Sequence, residues 1–344
     1  METMTKYPKV SIVVTNFNGG QMLVDCVESI KKLDYPNFEI ILVDDKSSDN
    51  SLKNAIGIKG ELELKVVKNK KNLGFVGANN EGIKYATGKY ILFLNNDTLV
   101  SKDLLNILVS EMEKDSSIGA IQPKIKMMDD HNLLDNAGSF LTKTGFLIHW
   151  GFGKKDSEEF NKKRIIFSAK GACLMTRSEI VEKIGLFDDD FVSYMEESDF
   201  CYRVWLAGYK VLYLPTTFIY HKIGFSYTKK LNTIAVNYNS FKNRILMLFK
   251  NLETKNLILI LLPHILILLA LSLYYLFRLQ FSKSGMIIRS IVWNIKNLDK
   301  SMKKREFVQK MRVVNDSKLF KYIMQNFNLS EMFNHFMKVE ANFR

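Results

Sequence analysis

Short apolar runs alternate with amphipathic segments along the first hundred residues of the chain. The apolar runs have the length of buried strands, and they cover residues 10–14, 38–43, 62–67 and 91–94. The apolar residues between them recur at helical spacing, which predicts helices over residues 22–33, from about residue 50, and up to residue 86. Strands and helices that alternate at this rhythm predict an α/β fold built on a parallel sheet.

Polar loops follow the first two predicted strands. Thr15, Asn16 and Asn18 follow the first strand, and Asp45 and Asp49 follow the second. Since open α/β sheets bind ligands at the carboxyl edge of their strands, we expect these side chains to meet there. Hydroxyl and amide groups suit the edge of a nucleobase, and carboxylates suit a ribose hydroxyl or a ring N–H. The two aspartates could also cap the helices that follow them.

The strand that begins near residue 90 ends in Asn95-Asn96-Asp97. A single carboxylate among neutral amides suits a hard divalent cation that keeps coordination positions for a diphosphate. The alternative is a simple polar turn. The strand-end loops contain neither a Gly-x-Gly-x-x-Gly run nor a Gly-Lys-Ser/Thr ending, which argues against a dinucleotide-dependent dehydrogenase and a P-loop enzyme.

Residues 101–160 contain no recognisable catalytic or binding motif. A helix is expected over residues 103–114, an edge strand over 119–126 and a solvated turn over 129–132. His149 and Trp150 lie among glycines, and this setting favours a surface loop over a segment that lines an acceptor site.

Two later segments place small or isolated residues at strand ends. Gly171 and Ala172 precede an apolar strand, and their small size would let the backbone approach a sugar or a phosphate closely. His221 follows the apolar runs 211–214 and 218–220, and a lone histidine in such a place is more often a surface or core residue than a metal ligand.

An acidic cluster, Glu196, Glu197 and Asp199, lies at the start of a helix expected over residues 199–207. Acidic groups interact favourably with the dipole at a helix N-terminus. Crowded carboxylates next to aromatic side chains also repel and desolvate one another, so at least one should have a raised pKa. Such a group could remove a proton from an acceptor hydroxyl near neutral pH.

Four motifs together resemble the family 2 glycosyltransferases, which have the GT-A fold, and within that family the rhamnosyltransferase-like branch. The motifs are residues 10–18, the loop 43–49, the segment 72–80 that begins Asn72-Leu73-Gly74-Phe75, and Asn95-Asn96-Asp97. The resemblance covers about the first two thirds of the chain. The fold it implies is a Rossmann-like mixed sheet flanked by helices.

The resemblance implies a nucleotide-diphospho-sugar donor and a Mg2+ or Mn2+ cofactor. It implies that Asp97 and His221 bind the metal, and that Lys222 and Lys229 screen the leaving diphosphate. The family's Asp-x-Asp is here Asn95-Asn96-Asp97, so its first carboxylate is missing. The residues expected at the donor are Thr15, Asn16, Asn18, Asp45, Asp49, Asn72, Gly74, Asn79, Asn95, Asn96, Gly171 and Ala172.

The resemblance also implies which acid is the catalytic base. The family has a Glu-Asp pair that is followed two residues later by Asp, and its second member is the usual base. Glu197 has that position here, with Glu196 and Asp199 as alternatives. One base opposite the leaving group implies inversion at the anomeric carbon, with no covalent intermediate.

The composition changes beyond residue 232. Residues 238–252 show apolar positions at helical spacing, with Lys242, Arg244 and Lys250 elsewhere around the helix, which predicts a helix on an anionic surface. Residues 257–277 are almost wholly apolar and long enough to cross a bilayer, although a buried core helix has the same pattern.

Both flanks of the apolar segment are basic, which favours a kinked, re-entrant or monotopic anchor bent at Pro263 over a single crossing. We therefore expect a glycosyltransferase domain at 1–232, an interfacial and hydrophobic membrane region at 233–284, and a basic amphipathic helical tail at 285–344 that also packs on the membrane face.

Charge and cysteine content narrow the partners and the compartment. The 344 residues have a formal net charge of +13, which implies an anionic partner. No nucleic-acid-binding module is recognisable, so anionic lipid headgroups and phosphorylated substrates are the expected partners. Cys26, Cys173 and Cys201 are far apart and suit buried thiols in a reducing compartment, and the polar N-terminus predicts no signal peptide.

The sequence thus predicts a glycosyltransferase at the cell membrane, with its catalytic domain on the cytoplasmic side and a lipid-linked or polysaccharide acceptor. Two other functions stay open: a sugar-phosphate nucleotidyltransferase, and a non-catalytic membrane scaffold that retains the fold.

Overall fold

The computed structural model describes residues 7–223 and 233–325 of the chain. The strands are β1 (Val10–Asn16), β2 (Phe38–Asp44), β3 (Leu64–Lys68), β4 (Tyr90–Asn95), β5 (Thr98–Val100), β6 (Ile118–Met127), β7 (Leu134–Asn136), β8 (Ser139–Leu141), β9 (Leu147–His149), β10 (Arg164–Ile165), β11 (Cys173–Arg177) and β12 (Lys210–His221). The helices are α1 (Gly20–Lys31), α2 (Ser51–Gly57), α3 (Gly74–Gly82), α4 (Leu104–Lys114), α5 (Ser178–Ile184), α6 (Glu196–Leu206), α7 (Thr233–Asn251), α8 (Thr254–Asn256), α9 (Leu262–Phe277), α10 (Phe281–Lys296), α11 (Leu298–Met311) and α12 (Asp316–Ile323).

The central sheet is mixed, with its main strands in the order β10-β12-β6-β11-β4-β1-β2-β3. Strands β1 to β4 are parallel to their neighbours in this set, and β11 is antiparallel to both β4 and β6. The predicted GT-A arrangement of a mixed sheet flanked by helices is confirmed. The prediction that β6 is an edge strand is wrong, because β11 and β12 pair with its two sides.

The central strands are continuous apolar runs because both faces of the sheet are covered. Val13 and Phe93 belong to the core on one face, and Ile12 and Leu92 belong to the core on the other. Successive side chains of a strand point to opposite faces, so a strand buried on both sides is apolar at most positions. Ser11 and Glu39 are buried polar exceptions, and they bind each other. Strands β1, β2 and β4 were predictable for this reason, whereas β3 is an edge strand whose residues are mostly partly exposed.

The hairpin β8–β9 corrects one expectation. Trp150, which follows β9, is buried, and its ring centre lies 4.9 Å from that of Phe160 and 5.5 Å from that of Tyr213. His149 is the last residue of β9 and its Nδ1 lies 2.8 Å from Ser139 Oγ. The prediction of a surface loop is therefore wrong, because the indole supplies part of the core beneath the hairpin.

Helix α7 also differs from its prediction. Lys242 and Lys250 are 4% and 2% exposed, so they are not available to an anionic surface. Phe241 and Ile245 of the same helix belong to the core that contains Phe200 of α6. The prediction that these two lysines face lipid headgroups is wrong, because Lys250 pairs with Asp188 and Asp199 inside the protein and Lys242 donates to the Asp190 carbonyl.

Helices α8 and α9 form one continuous apolar helix through a π-helical turn, Leu257–Leu261, that precedes Pro263. Within the described ranges, Thr254–Phe277 is the one helix long and apolar enough to cross a membrane. One face of α9 packs on the protein through four buried residues, His264, Leu268, Ser272 and Tyr275. The opposite face exposes large apolar side chains, which include Leu262, Leu266, Leu269, Leu273 and Phe277.

Candidate active site

Asn16, at the end of β1, is buried and joins the strand-end loops. Its Nδ2 donates to Asp44 Oδ1 at 3.1 Å and to Ser51 Oγ at 2.9 Å. Its Oδ1 accepts from Gly19 N at 3.2 Å and from Asn96 Nδ2 at 2.9 Å. These bonds use the side chain inside the protein, so Asn16 orders the loops, and its direct contact with a nucleotide stays a prediction.

Asp45 holds the loop that begins α3. Its carboxylate accepts from Asn69 Nδ2, from Leu73 N and, at 2.9 Å, from Gly74 N. Gly74 has a φ of +71°, and a Cβ at this position would lie 3.2 Å from the Val192 carbonyl oxygen. A glycine is therefore required where this loop meets the segment that carries the acidic cluster.

The other predicted donor residues lie in the same strand-end loops. Asn18, whose φ is 53°, accepts from Ser48 N at 2.7 Å, and Asp49 accepts from Gly20 N at 2.9 Å. These bonds fasten the loop after β1 to the loop after β2. Thr15 lies beside Asn95 of β4 and is partly exposed.

The side chains of Asn72 and Asn79 bind backbone groups of their own segment, 72–80. Asn72 Oδ1 accepts from Gly74 N at 3.0 Å. Asn79 is buried, and its Nδ2 donates to the Phe75 carbonyl of the same helix at 2.9 Å. Among the described residues, Asn95 has no side-chain hydrogen bond, so its amide is available to a ligand at the edge of the sheet. The donor contacts of these residues stay predictions.

Asp97 and His221 lie together at this edge. Strand β12 is antiparallel to β5 and places His221 opposite Thr98, next to Asp97. The Oδ1 of Asp97 and the Nε2 of His221 are 3.3 Å apart, and Asp97 Oδ1 is buried without a hydrogen-bond partner. Two ligands that each lie about 2.1 Å from one ion are about 3 Å apart at right angles. Without a cation these two atoms form an ion pair, and their separation also fits two ligands of one divalent cation that replaces the imidazole proton.

The second imidazole nitrogen of His221 is held by a residue that the sequence did not identify. Its Nδ1 lies 2.8 Å from Oδ2 of Asp135, which is fully buried and bound by Lys170 Nζ at 2.6 Å. Burial lowers the pKa of His221, but the carboxylates of Asp97 and Asp135 outweigh it and raise the pKa to about 9. A histidine ligand is commonly oriented by such a carboxylate.

A cluster of three potential metal-ligating side chains is absent from residues 7–223 and 233–325. A cation at Asp97 and His221 would thus have two protein ligands, and oxygen atoms of a bound ligand would complete its coordination.

Glu196 and Glu197 begin α6, three residues earlier than predicted. Burial and the carboxylate of Glu197 raise the pKa of Glu196 well above its usual value. Burial also raises the pKa of Glu197, while the charge of Lys170 lowers it. Each glutamate has a buried Oε2 without a hydrogen-bond partner. A Cβ built on Gly171 would lie 3.9 Å from Glu197 Cβ, so Glu197 lies beside the Gly171–Ala172 backbone.

The loop before α6 has an unusual backbone. Val192, Tyr194 and Met195 have φ values of 62°, 71° and 71°, and such values are costly for a β-branched residue. Asn243 of α7 holds the loop, because its Nδ2 donates to the carbonyl oxygens of Phe191, Ser193 and Tyr194 at 2.9, 2.8 and 2.7 Å. Helix α7 thus fixes the segment that leads directly to the two glutamates.

Asp199 lies in a buried ionic cluster. Its Oδ2 accepts from Arg203 Nε at 3.0 Å and Lys250 Nζ at 3.2 Å, and its Oδ1 accepts from Asn251 Nδ2 at 2.8 Å. The residue is fully buried. Two cations and an amide already bind this carboxylate, which favours Glu196 or Glu197 as the base, and the assignment of the base stays a prediction.

Residues 11–185 match the family model for glycosyl transferase family 2. The chain belongs to this family. A curated relative of this glycosyltransferase is the poly-beta-1,6-N-acetyl-D-glucosamine synthase of Staphylococcus epidermidis, which is 24% identical over 208 residues, or 60% of this chain and 48% of the relative. The chain spans about half the length of this relative.

Solved structures agree on the fold of this glycosyltransferase. The mannosyltransferase PcManGT from Pyrobaculum calidifontis, in complex with GDP-Man and Mn2+, covers 85% of this chain and 88% of its own, with a TM-score of 0.54 and 18% identity. The structure of GalNAc-T7 with UDP, GalNAc and Mn2+ matches 71% of this chain and 49% of its own chain, with a TM-score of 0.59 and 20% identity. At these identities the likeness establishes the GT-A fold. Membership of the rhamnosyltransferase-like branch stays a prediction.

Sequence analysis of this glycosyltransferase missed Asp135, Lys170 and Asn243. No sequence motif marks Asp135 or Asn243. Their roles come from contacts with distant residues, Asp135 with His221 and Asn243 with the loop before α6. Lys170 could have been noticed, because a cation directly precedes Gly171 at a proposed phosphate-binding backbone. Lys222 N donates to the Asp97 carbonyl at 2.9 Å, and Lys229 lies outside the described residues.

Replacing Asp199 by asparagine should destabilise this glycosyltransferase by about 3–5 kcal/mol, because the buried Arg203 would lose its carboxylate partner and Lys250 would keep only Asp188. The free energy of unfolding in urea measures the effect. The matched control is Glu306→Gln, which removes an exposed partner of Lys310 and should cost less than about 1 kcal/mol. A stable Asp199→Asn protein that has lost only its activity would contradict the structural role.

Proposed function

We propose that this protein is an inverting, metal-dependent glycosyltransferase. It moves a sugar, with rhamnose as the first candidate, from a nucleotide-diphospho-sugar to a hydroxyl of a lipid-linked or cell-surface glycan. One observation carries the proposal: the buried, unpartnered Oδ1 of Asp97 lies 3.3 Å from His221 Nε2 at the sheet edge where the donor loops meet. Such a pair suits a cation that is shared with a diphosphate.

Asp97 and His221 would hold Mg2+ or Mn2+. When bound, the cation neutralises charge on the leaving diphosphate. Asp135 orients the imidazole through Nδ1, and Lys170 compensates the buried charge of Asp135. The presence of Mn2+ with GDP-Man in the mannosyltransferase neighbour and with UDP in GalNAc-T7 supports a divalent cation here.

Glu197 is the proposed base. It lies beside the Gly171–Ala172 backbone that we assign to the donor sugar, and the charge of Lys170 favours its ionised form over that of its neighbour. Glu196, whose pKa is raised by burial and by Glu197, holds its proton more strongly. The pair therefore supplies one carboxylate that is ionised and able to accept the proton of an acceptor hydroxyl.

We also propose that the protein acts at the cytoplasmic face of the cell membrane. The exposed apolar face of α9 continues on α10 through Phe281, Ile288 and Val292. The other face of α9 packs on the protein, which favours a helix that lies in one leaflet over a helix that crosses the bilayer. A relative that is named as a polysaccharide synthase supports a glycan acceptor.

Calorimetric titration with UDP-, GDP- and dTDP-sugars, each with and without Mn2+, tests the proposal. We expect one nucleotide class to bind, and to bind more tightly by about tenfold or more when Mn2+ is present. Binding of every donor that is equal with and without Mn2+ would exclude the metal-dependent mechanism. The absence of donor binding altogether would favour a scaffold that retains the fold.

A further inference from the structure

The loop that leads into α6, residues 188–195, begins with two aspartates that bind lysines of α11. Lys304 binds both of them, because its Nζ pairs with Asp188 and lies 2.6 Å from Asp190 Oδ2. Lys300, one turn earlier in the helix, also pairs with Asp190. The side chains of the two aspartates are only 9% and 10% exposed, so water screens these ion pairs less than pairs on the surface.

Asp188 ties the loop to two helices at once. Its Oδ2 accepts from Lys250 of α7, and its Oδ1 accepts from Lys304 of α11. Burial alone would raise the pKa of Asp188, but the charges of Lys250 and Lys304 outweigh it and hold the pKa well below its usual range. The carboxylate is therefore ionised at neutral pH and keeps both partners.

The second half of the loop needs such attachments because of its backbone. Val192, Tyr194 and Met195 lie in the left-handed region, which L-residues adopt where surrounding contacts require it. Asn243 of α7 holds carbonyl oxygens in this half of the loop, and the lysines hold its first half. The proposed base, Glu197, comes two residues after Met195, so its position depends on both attachments.

The donor side of the site has an attachment of its own. The loop contacts α3 where Val76 N donates to the Val192 carbonyl at 3.2 Å. The start of α3 is held separately by Asp45, which accepts from Gly74 N at 2.9 Å. Loosening the first half of the loop should therefore disturb the base more than the donor loops.

We propose that Lys304 is a positioning residue for the catalytic base, so that α11 completes the active site from a position 116 residues beyond Asp188 in the chain. The inference rests on the proposed role of Glu197, and it goes further by assigning a function to a helix outside the α/β sheet. Lys304 does not touch the reacting groups, because it acts through the loop 188–195. A lysine that only stabilised the fold would not be coupled to the base.

Amide hydrogen exchange of the full chain tests the attachment without any substrate. In Lys304→Met we expect exchange in peptides that span residues 188–199 to be at least about tenfold faster, with exchange in β1 and β4 unchanged. Lys304→Arg keeps the charge and should keep most of the protection. The matched control is Lys310→Met on the same helix, because Lys310 pairs with Glu306 on the surface and its loss should not change exchange in the loop.

Kinetic coupling to Glu197 tests the role in catalysis. The assay is the release of nucleoside diphosphate, in the presence of Mn2+, from whichever of the UDP-, GDP- and dTDP-sugars binds in the calorimetric titration. Lys304→Met should lower kcat by about tenfold or more and change donor affinity less than about threefold. In the Glu197→Gln background the same change should lower kcat less than about twofold, because no base is left to position.

Three results would overturn the proposal: unchanged exchange in the loop of Lys304→Met, a loss of donor affinity in place of kcat, or losses that multiply in the double variant. Melting temperatures identify any variant that is unfolded. If Lys304→Met does not fold, Lys300→Met carries the same tests, with a smaller expected increase in exchange, because the side chain of Lys300 is 57% exposed.

The single variants separate this inference from the proposed function. A large loss of activity in Glu197→Gln, together with full activity of Lys304→Met, would leave the proposed base standing and remove only the role of Lys304. Full activity of Glu197→Gln would remove the proposed base itself, and the role of Lys304 with it.

Discussion

Replacing Asp97 by asparagine is expected to lower sugar transfer by about a thousandfold, with little change in melting temperature. The amide has the shape of the carboxylate but is a poor ligand, so the cation at His221 would be bound weakly. A metal ion contributes several kcal/mol to the stabilisation of charge on a leaving diphosphate, and each 1.36 kcal/mol is a factor of ten in rate. Turnover of the donor over a range of Mn2+ concentrations measures the loss.

The matched control for this change is Asp129→Asn. Asp129 pairs with Lys222, the residue that follows His221, but its side chain is 67% exposed. The control removes the same charge near the same strand end without removing a proposed ligand, so activity should change less than about threefold. Equal activity of Asp97→Asn and the unaltered enzyme at all Mn2+ concentrations would rule out the assigned metal site.

Glu197→Gln is expected to lower kcat by about 10²- to 10⁴-fold, the usual contribution of a positioned base. Donor affinity should be unchanged, because the base acts on the acceptor hydroxyl. Glu196→Gln separates the two glutamates. If Glu197 is the base, Glu196→Gln loses less activity, since we expect Glu196 to hold a proton at neutral pH and glutamine has nearly the shape of the protonated acid. The opposite ranking of the two variants would assign the base to Glu196.

The pH dependence of kcat/KM is a second, independent test of Glu197 as the base. Burial raises the folded-state pKa of Glu197, and the base must be ionised, so kcat/KM should fall as the pH drops through a value above the usual 4.3 for glutamate. Lys170→Met removes a charge that lowers this pKa and should move the acidic limb to higher pH. An unchanged acidic limb in Glu197→Gln would show that another group titrates.

Some residues of the candidate site could be placed from the sequence, and others could not. Asn95, Asn96 and Asp97 could be placed at a strand end, because a strand buried on both faces leaves a continuous apolar run with a visible polar end. The position of His221 beside Asp97 could not be derived in this way. It depends on antiparallel pairing of β12 with β5, two segments that are far apart in the chain.

The burial of charged residues could not be predicted from their spacing in the sequence. The spacing of Lys242 and Lys250 fits a helix on an anionic surface and equally fits a helix whose cations point inward. The structure decides for the second arrangement through Asp188, Asp190 and Asp199, which lie in or near α6. The ion pairs of Asp199 with Arg203 and Lys250 could not be predicted from the sequence for the same reason.

The sequence is enough to predict the alternation of strands and helices, the polar loops at the carboxyl edge and the apolar segment near residues 257–277. Each of these follows from local periodicity, because burial on one or two faces dictates which positions are apolar. Which charges meet depends on the folded structure, in which Asp135 binds His221 and Lys250 binds Asp199. The sequence gives the charge of each side chain, but its ion-pair partner depends on packing between segments that are far apart in the chain.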